Sequence, residues 1–334
     1  MNITYLIPLD TIGGGVEVAA KEVKKLTNKN FIFNVEYICN NKDELFNMFV
    51  LFRSIKDIYR IKPDILILSL WRAQFVGIFV KLFLPRTKLV FFVHSAEDAH
   101  FLDYILSRLT LMLSKQVWGD SVTSLKQRFK MSKKARHGDV ISFSPRVIER
   151  LNVKKAVPKF IFWGRLGKEK GLNRSLTIFS KFIKFYPQAT YDIIGSDGGA
   201  LLSIKEFCKE LDINKSVTFH NEMQFKDIIK IANNAAFYLQ TSLYEGAAMS
   251  VMESMKLGLV PVVTPVGEIS RYCNNNNSVI VYSDSEVIRD LTMILESTDA
   301  YTSLSDAAAN TFNSQVSYVD SIVTSCEKLV KKWQ

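Results

Sequence analysis

Cysteine is scarce in this chain and badly spaced for chemistry. The 334 residues hold four, Cys39, Cys208, Cys273 and Cys326, with no CxxC pair among them. That usage counts against a disulfide framework or a thiolate zinc site and suits a reducing compartment. Histidine is equally thin: four residues, scattered, with no HExxH. Long apolar runs are missing too. The most apolar stretch, "FVGIFVKLFLP" at 75–85, is broken by Lys81 and ends in Pro85, well short of the roughly 20 residues a spanning helix needs. The N-terminal "MNITYLIPLD" has no basic n-region and reads as a first strand rather than a signal peptide. Low complexity is confined to "NNNN" at 274–277, a loop tip. A soluble, cytoplasmic protein is expected.

What is present is enough apolar sequence for a large core. Apolar residues make up 48%, so disorder is not the default, and the length suits two ordinary domains or one large one. The net charge of +10 is unevenly spread. Residues 1–152 hold 23 Lys and Arg against 14 Asp and Glu, whereas residues 153–334 hold 20 against 19. A polyanionic or membrane-surface partner is expected for the first half only. The densest basic piece is "KQRFKMSKKAR" at 126–136, with six cations and no acid. A solvated helix face explains it equally well.

Short β-branched or aromatic runs alternate with amphipathic segments of helix length. Strands are expected at 2–7, 31–38, 64–69 and 88–94, then near 117–122 and 139–143. A second series follows at 159–164, 190–195, 216–219, 236–241, 260–263 and 278–281. Helical patterns fill 15–29, 43–61, 71–84, 99–116, 171–185, 199–211, 224–234 and 246–257, with more after 284. Such alternation builds βαβ units, hence parallel sheets with helices on both faces. The rhythm restarts near residue 155, where "NVKKAVPK" reads as a linker. The expected fold class is α/β, with two doubly wound Rossmann-like domains at 1–152 and 153–315 and a helix, 316–334, packing back on the first.

In such folds ligands bind beyond the carboxyl ends of the strands, where loops enter helix N-termini. After the first strand, Gly13-Gly14-Gly15 lets backbone N–H groups approach an anion or a sugar, or simply makes a tight turn. His94 ends its strand, placed either to hydrogen-bond a ligand hydroxyl or to cap the next helix. Arg165 and Lys170 follow a buried strand among Gly164, Gly167 and Gly171. Two cations at a glycine-rich helix N-terminus suit a diphosphate: a forked donor, a point charge and the helix dipole behind them. An ordinary basic loop is the alternative. Gly195, Gly198 and Gly199 in "IIGSDGG" let a ligand lie against the backbone, or merely permit the turn.

Glu245 and Glu253 stand eight positions apart in "SLYEGAAMSVMESMKLG". On one continuous helix they would lie about 12 Å apart along the axis and about 80° around it. That is too far for the paired carboxylates of a glycosidase, which need roughly 5–9.5 Å. The spacing fits better if Glu245 sits in the loop and Gly246 starts the helix, with Glu253 two turns in. Two separated acceptors with exposed N–H groups between them suit a polyhydroxylated, phosphorylated ligand. Alternatively, Glu245 is a helix-start anion and Glu253 an exposed mid-helix charge.

Taken in order, Gly164-Arg165-Leu166 with Lys170-Gly171, "IIGSDGG", Glu245 and Glu253 in E-x7-E spacing, Gly258 and "VPVV" resemble the retaining glycosyltransferases of family 4. The resemblance covers most of 159–265 and implies the GT-B fold of two facing Rossmann-like domains. It implies that Arg165 and Lys170 hold the donor diphosphate and help it depart. It further implies that Glu245, with the main chain of Gly246, Ala247, Ala248 and Met249, holds the donor sugar, and that Glu253 holds the ribose. Gly14 and Gly15 would border the phosphates, Gly195 the donor, and His94 the transferred sugar. Configuration would be retained through same-face attack, the leaving diphosphate accepting the acceptor's proton, with no metal and no cofactor. Ala247 and Ala248 stand where family members often carry a bulky residue, which leaves more room beside the sugar. The family's Asn-Gly-Val-Asp segment is replaced by "ISFSPRVIERLN", and Asn221 stands where a glycine is common.

The expected function is sugar transfer from a UDP- or GDP-linked donor to a glycan or lipid-linked acceptor in bacterial-type surface polysaccharide assembly, at the inner face of the cell membrane. No nucleic-acid partner is expected. The segment 101–118 could add an amphipathic surface, since its polar positions 103, 107, 110 and 114 make one helical stripe. Ordinary packing also explains that stripe. Two alternatives are a GT-B sugar-nucleotide epimerase and a non-catalytic nucleotide-sugar-binding scaffold.

Overall fold

Apolar runs too continuous to alternate become the buried strands of two sheets, as parallel strands covered on both faces require. The computed structural model describes residues 1–9, 15–24, 26–41, 43–95, 97–129, 132–141, 148–151, 156–313 and 316–333. They fall into two units, Met1–Phe143 with Val316–Gln334, and Ser144–Gln315.

The first unit holds β1 (Asn2–Leu9), β2 (Thr27–Asn28), β3 (Phe31–Cys39), β4 (Ile65–Ser69), β5 (Lys88–Val93), β6 (Gln116–Gly119) and β7 (Asp139–Val140). Its helices are α1 (Gly15–Val23), α2 (Met48–Ile61), α3 (Leu70–Phe83), α4 (Phe101–Leu113), α5 (Val122–Arg128) and α6 (Lys133–Arg136). The strand order is β2-β3-β1-β4-β5-β6-β7. Every neighbouring pair is parallel except β2 with β3. That hairpin replaces the second half of the helix expected at 15–29. The Asn30 N–H bonds to Asn28 Oδ1 at 2.9 Å, and an Asx turn of this kind competes with helical hydrogen bonding.

The second unit holds β8 (Lys159–Trp163), β9 (Thr190–Ile194), β10 (Val217–His220), β11 (Phe237–Gln240), β12 (Val260–Val263) and β13 (Val279–Ile280). Its helices are α7 (Leu172–Phe182), α8 (Leu201–Glu210), α9 (Phe225–Ala232), α10 (Met249–Lys256), α11 (Ile269–Tyr272), α12 (Asp284–Glu296) and α13 (Thr298–Asn310). The order β10-β9-β8-β11-β12-β13 is parallel throughout. The chain winds outward from β8 to β10 and then restarts on the other side with β11. The crevice at that reversal, beyond the carboxyl ends of β8 and β11, is where doubly wound sheets bind ligands. Leu151 N–H bonds to Leu257 O at 3.0 Å and Arg150 to Ser305 Oγ at 2.9 Å, both within this unit.

The last helix, α14 (Tyr318–Trp333), belongs to the first unit, where Asn28 Nδ2 donates to Glu327 Oε1 at 3.0 Å. All four cysteines are free thiols, and all are buried. Among the described residues no helix is long and apolar enough to cross a membrane.

Two expected helices differ in an instructive way. The one expected from Gly246 starts at Met249, because Ala248 adopts a left-handed φ of 54° and holds the chain out of the helix until then. Along α4, the polar stripe of Asp103, Ser107 and Thr110, continued by Ser114 at the C-cap, faces inward and is buried. The buried Arg128 guanidinium fixes that orientation, donating to Asp103 Oδ2 and Ser107 Oγ at 2.7 Å each and to Asp98 Oδ1 at 2.9 Å.

Candidate functional site

At the switch point of the second sheet, three loops are stitched together by their backbones. Leu166 N–H bonds to Ser196 O and Ala200 N–H to Leu166 O, joining the loops after β8 and β9. Leu243 N–H bonds to Glu169 O at 2.8 Å, joining the loops after β8 and β11. Two glycines allow this closeness. A Cβ on Gly195 would run into the Gly164 carbonyl oxygen, and one on Gly171 into that of Thr241. Gly171 also takes a left-handed φ of 60°, which a side chain resists.

The stitched loops bring Lys170 to Glu245. Lys170 Nζ, Gln240 Nε2 and Ser242 Oγ all donate to Glu245 Oε1, each at 2.7 Å. The Gln240 amide is itself held. Its Oε1 accepts from Tyr238 OH at 2.6 Å and from Ser250 Oγ at 3.1 Å, and its Nε2 also donates to Ser242 Oγ at 3.0 Å. Burial pushes the Tyr238 hydroxyl well above its ordinary range, so it stays a donor. The carboxylate is thus gripped through one oxygen by a preorganised set of donors, the arrangement that fixes a charged group without reorganisation.

Glu245 lies in the loop, followed by the turn Gly246-Ala247-Ala248. Tyr272 OH donates to Ala247 O at 3.0 Å, and the Glu268 N–H to Gly246 O at 3.3 Å. Ala248 at the N-cap offers no side chain to the first turn of α10, whose leading N–H groups have no partner within the helix. Glu253 sits in the second turn and is buried, 6% exposed, with Oε2 accepting from Trp163 Nε1 at 3.0 Å. The alternative of an exposed mid-helix charge is therefore wrong. A carboxylate at this burial needs an anchor, and the indole of the residue before Gly164 supplies one.

Arg165 is placed differently from Lys170. Its guanidinium pairs with Glu169, four residues on, and its side chain is 62% exposed. The structure does not bring it into the Glu245 cluster. Gly195 is in the stitched backbone. Gly15 is the first residue of α1, in the other unit, and Gly14 lies outside the described residues.

Three residues of the cluster escape the sequence reading: Gln240, Ser242 and Trp163. One signal points to the first. A glutamine closing the otherwise apolar strand "FYLQ" at a switch point is a buried polar group needing partners.

His94 belongs to the first unit, just past β5, with its side chain only 5% exposed. Nε2 lies 2.7 Å from Ser69 Oγ, which donates to Tyr5 OH at 2.9 Å, and the ring packs 4.1 Å from that of Phe92. Burial, then the Arg128 charge, pushes its pKa down to about 3, although the Asp120 carboxylate lies 3.9 Å from Nδ1. The imidazole is thus neutral at ordinary pH and can act only through hydrogen bonds. In the unfolded chain its pKa is about 6.5, so between about 3 and 6.5 the unfolded state binds the extra proton. Stability is therefore lost as pH falls through that window, by up to about 1.4 kcal/mol per unit. Urea titrations at several pH values are expected to show a shallower acid loss in His94→Gln than in the parent. Parallel curves would refute the buried neutral state.

Comparisons with known proteins place the family and the fold. The family described as Glycosyl transferases group 1 matches residues 144–311, half of the chain. Anabaena Alr3699/HepE, solved with UDP and glucose, is 16% identical with a TM-score of 0.79, covering 99% of this chain and all of that one. The lipopolysaccharide outer core galactosyltransferase WaaB is 14% identical with a TM-score of 0.65, covering 98% of this chain and all of that one. The fold is that of the GT-B glycosyltransferases. One component of the human phosphatidylinositol N-acetylglucosaminyltransferase is 27% identical over 112 residues, 34% of this chain. That match spans only 23% of the human protein's length.

Proposed function

Because the chain belongs to the family Glycosyl transferases group 1, we propose that it moves a sugar from a UDP- or GDP-linked donor to a hydroxyl of a glycan or lipid-linked acceptor. The observation that carries this reading is Glu245, held on Oε1 by Lys170, Gln240 and Ser242 at the sheet's switch point. Its other oxygen is then the acceptor for a donor-sugar hydroxyl. The N–H groups leading into α10 and the Lys170 charge face the diphosphate, whose departure they stabilise electrostatically. Arg165, released from Glu169, adds a forked donor to the same group. Glu253, fixed by Trp163, takes the ribose hydroxyls.

In this reading the enzyme is a retaining member of family 4, the E-x7-E pair being Glu245 and Glu253. The leaving diphosphate accepts the acceptor's proton, and no metal takes part. The neighbour solved with UDP and glucose supports a UDP-linked donor, and the one named for the lipopolysaccharide outer core supports a role in surface polysaccharide assembly, which we place at the inner face of the cell membrane. Calorimetric titration with UDP- and GDP-sugars, followed by hydrolysis assays with and without chelator, tests the reading. At least one donor should bind and turn over slowly in both conditions. Binding of none would sink the transferase, and strict dependence on a divalent cation would sink the mechanism.

A further inference from the structure

Helix α4 is inside out. Its polar stripe is buried against Arg128, and its exposed positions are Phe101, Leu102, Tyr104, Ile105, Leu109, Met112 and Leu113. Phe101 and Met112, near its two ends, are 77% and 76% exposed. Positions 101, 105, 109 and 112 follow one another at helical spacing, so the apolar side chains form a stripe along the whole element. Leu82 and Phe83, closing the neighbouring α3, are exposed as well. Turning α4 to hide this face would bury apolar atoms but strand Arg128, Asp103 and Ser107, and a buried charge without its partner is costly.

The surroundings select what meets that face. Residues 101–138 carry eight Lys and Arg against two Asp and Glu. Arg128 and Asp103 pair with each other in the interior and Arg108 pairs with Asp98, which leaves the excess on Lys115 and the segment 126–136. Arg108 lies over the Tyr104 ring, 3.9 Å from its centroid, on α4 itself. The basic helix α6 is pinned to the far end of α4, Lys134 Nζ donating to the carbonyls of Leu111 and Ser114 at 2.9 and 2.7 Å. Lys115 and Lys133 there are exposed. Two copies meeting through this face would bring like charges together, whereas an anionic bilayer offers both an apolar interior and opposite charge.

We infer that α4 is a membrane-docking element, its outward face seated in the headgroup boundary of an anionic phospholipid surface with the basic segment at its end on the phosphates. This deepens the lipid-linked acceptor reading without needing any sugar transfer to be observed. The test is flotation of the full chain with phosphatidylglycerol–phosphatidylethanolamine vesicles. The parent should bind them, and bind phosphatidylcholine vesicles far less. Leu109→Gln with Met112→Gln should lower partitioning by about tenfold or more, with the thermal transition unchanged. Leu202→Gln, at an exposed position on α8, should partition like the parent. Equal partitioning by parent and the α4 variant overturns the inference. So does a lipid-free dimer, seen by light scattering, that the α4 variant dissociates. Donor hydrolysis measured in parallel without lipid separates the two readings: hydrolysis without vesicle binding defeats docking alone, and vesicle binding without donor binding defeats the transferase alone.

Discussion

Lys170→Met is expected to lower sugar transfer by about 10²–10³-fold, the usual cost of removing one preorganised group that stabilises developing negative charge. The same change should destabilise the second unit by about 3 kcal/mol, because it leaves a carboxylate of low exposure without its counter-ion. The pair is 17% and 8% exposed on its Lys170 and Glu245 sides, so the penalty sits at the lower end of the buried range. Gln240 and Ser242 remain as donors and keep Glu245 from being abandoned outright. A double variant separates the two effects. Lys170→Met with Glu245→Met removes both charges and should recover most of the lost stability. Transfer should stay at the level of the single variants or below. Near-parental transfer in either single variant would refute the assignment, as would recovery of transfer in the double one.

Gly171→Ala is expected to cost about 2–4 kcal/mol, among the largest effects of any one-carbon change in the chain. A left-handed φ alone accounts for roughly 1–2 kcal/mol of this. The remainder comes from the new Cβ meeting the Thr241 carbonyl oxygen, a backbone atom that cannot swing aside. Thr241 Oγ1 donates to Gly171 O at 2.7 Å, so relief of the clash also loosens that bond. Separating these strand-end loops pulls Lys170 from Glu245, and donor affinity should fall together with stability. Gly199→Ala is the control. Gly199 has a φ of 91° but nothing within 4 Å of its Cβ position, so it should show the backbone cost only. Urea denaturation of both variants checks the contrast, and equal losses would contradict it.

The alternation of apolar runs with amphipathic segments reveals both sheets, because strands such as "ILILS" and "KFIFW" are buried on two faces and carry no competing pattern. Lys170 and Glu245 are each recognisable beside their glycines. Their contact is not, since it spans 75 positions and depends on three loops meeting at a strand reversal. Trp163 is invisible as a functional group because an indole at the end of a buried strand reads as core; only the fold turns its N–H toward Glu253. Ala248 misleads in the opposite sense. Alanine is the best helix former, yet here it takes the left-handed turn that delays α10. The facing of α4 is undecidable from sequence for a simpler reason. Periodicity locates two stripes on a helix but not which one turns inward, and Arg128, from a different helix, decides that.

The four buried cysteines come in pairs by unit: Cys39 and Cys326 in the first, Cys208 and Cys273 in the second. Burial pushes the Cys208 and Cys273 thiols up to about 11 and about 12, and those of Cys39 and Cys326 upward as well. In the folded chain they are therefore silent toward alkylating reagents, which need exposed thiolate. Each pair becomes a clock for the opening of its own half of the molecule. Pulse alkylation read by peptide mass gives the two opening rates from one unmodified sample, and a nucleotide sugar that binds the second unit should slow only the Cys208 and Cys273 clock.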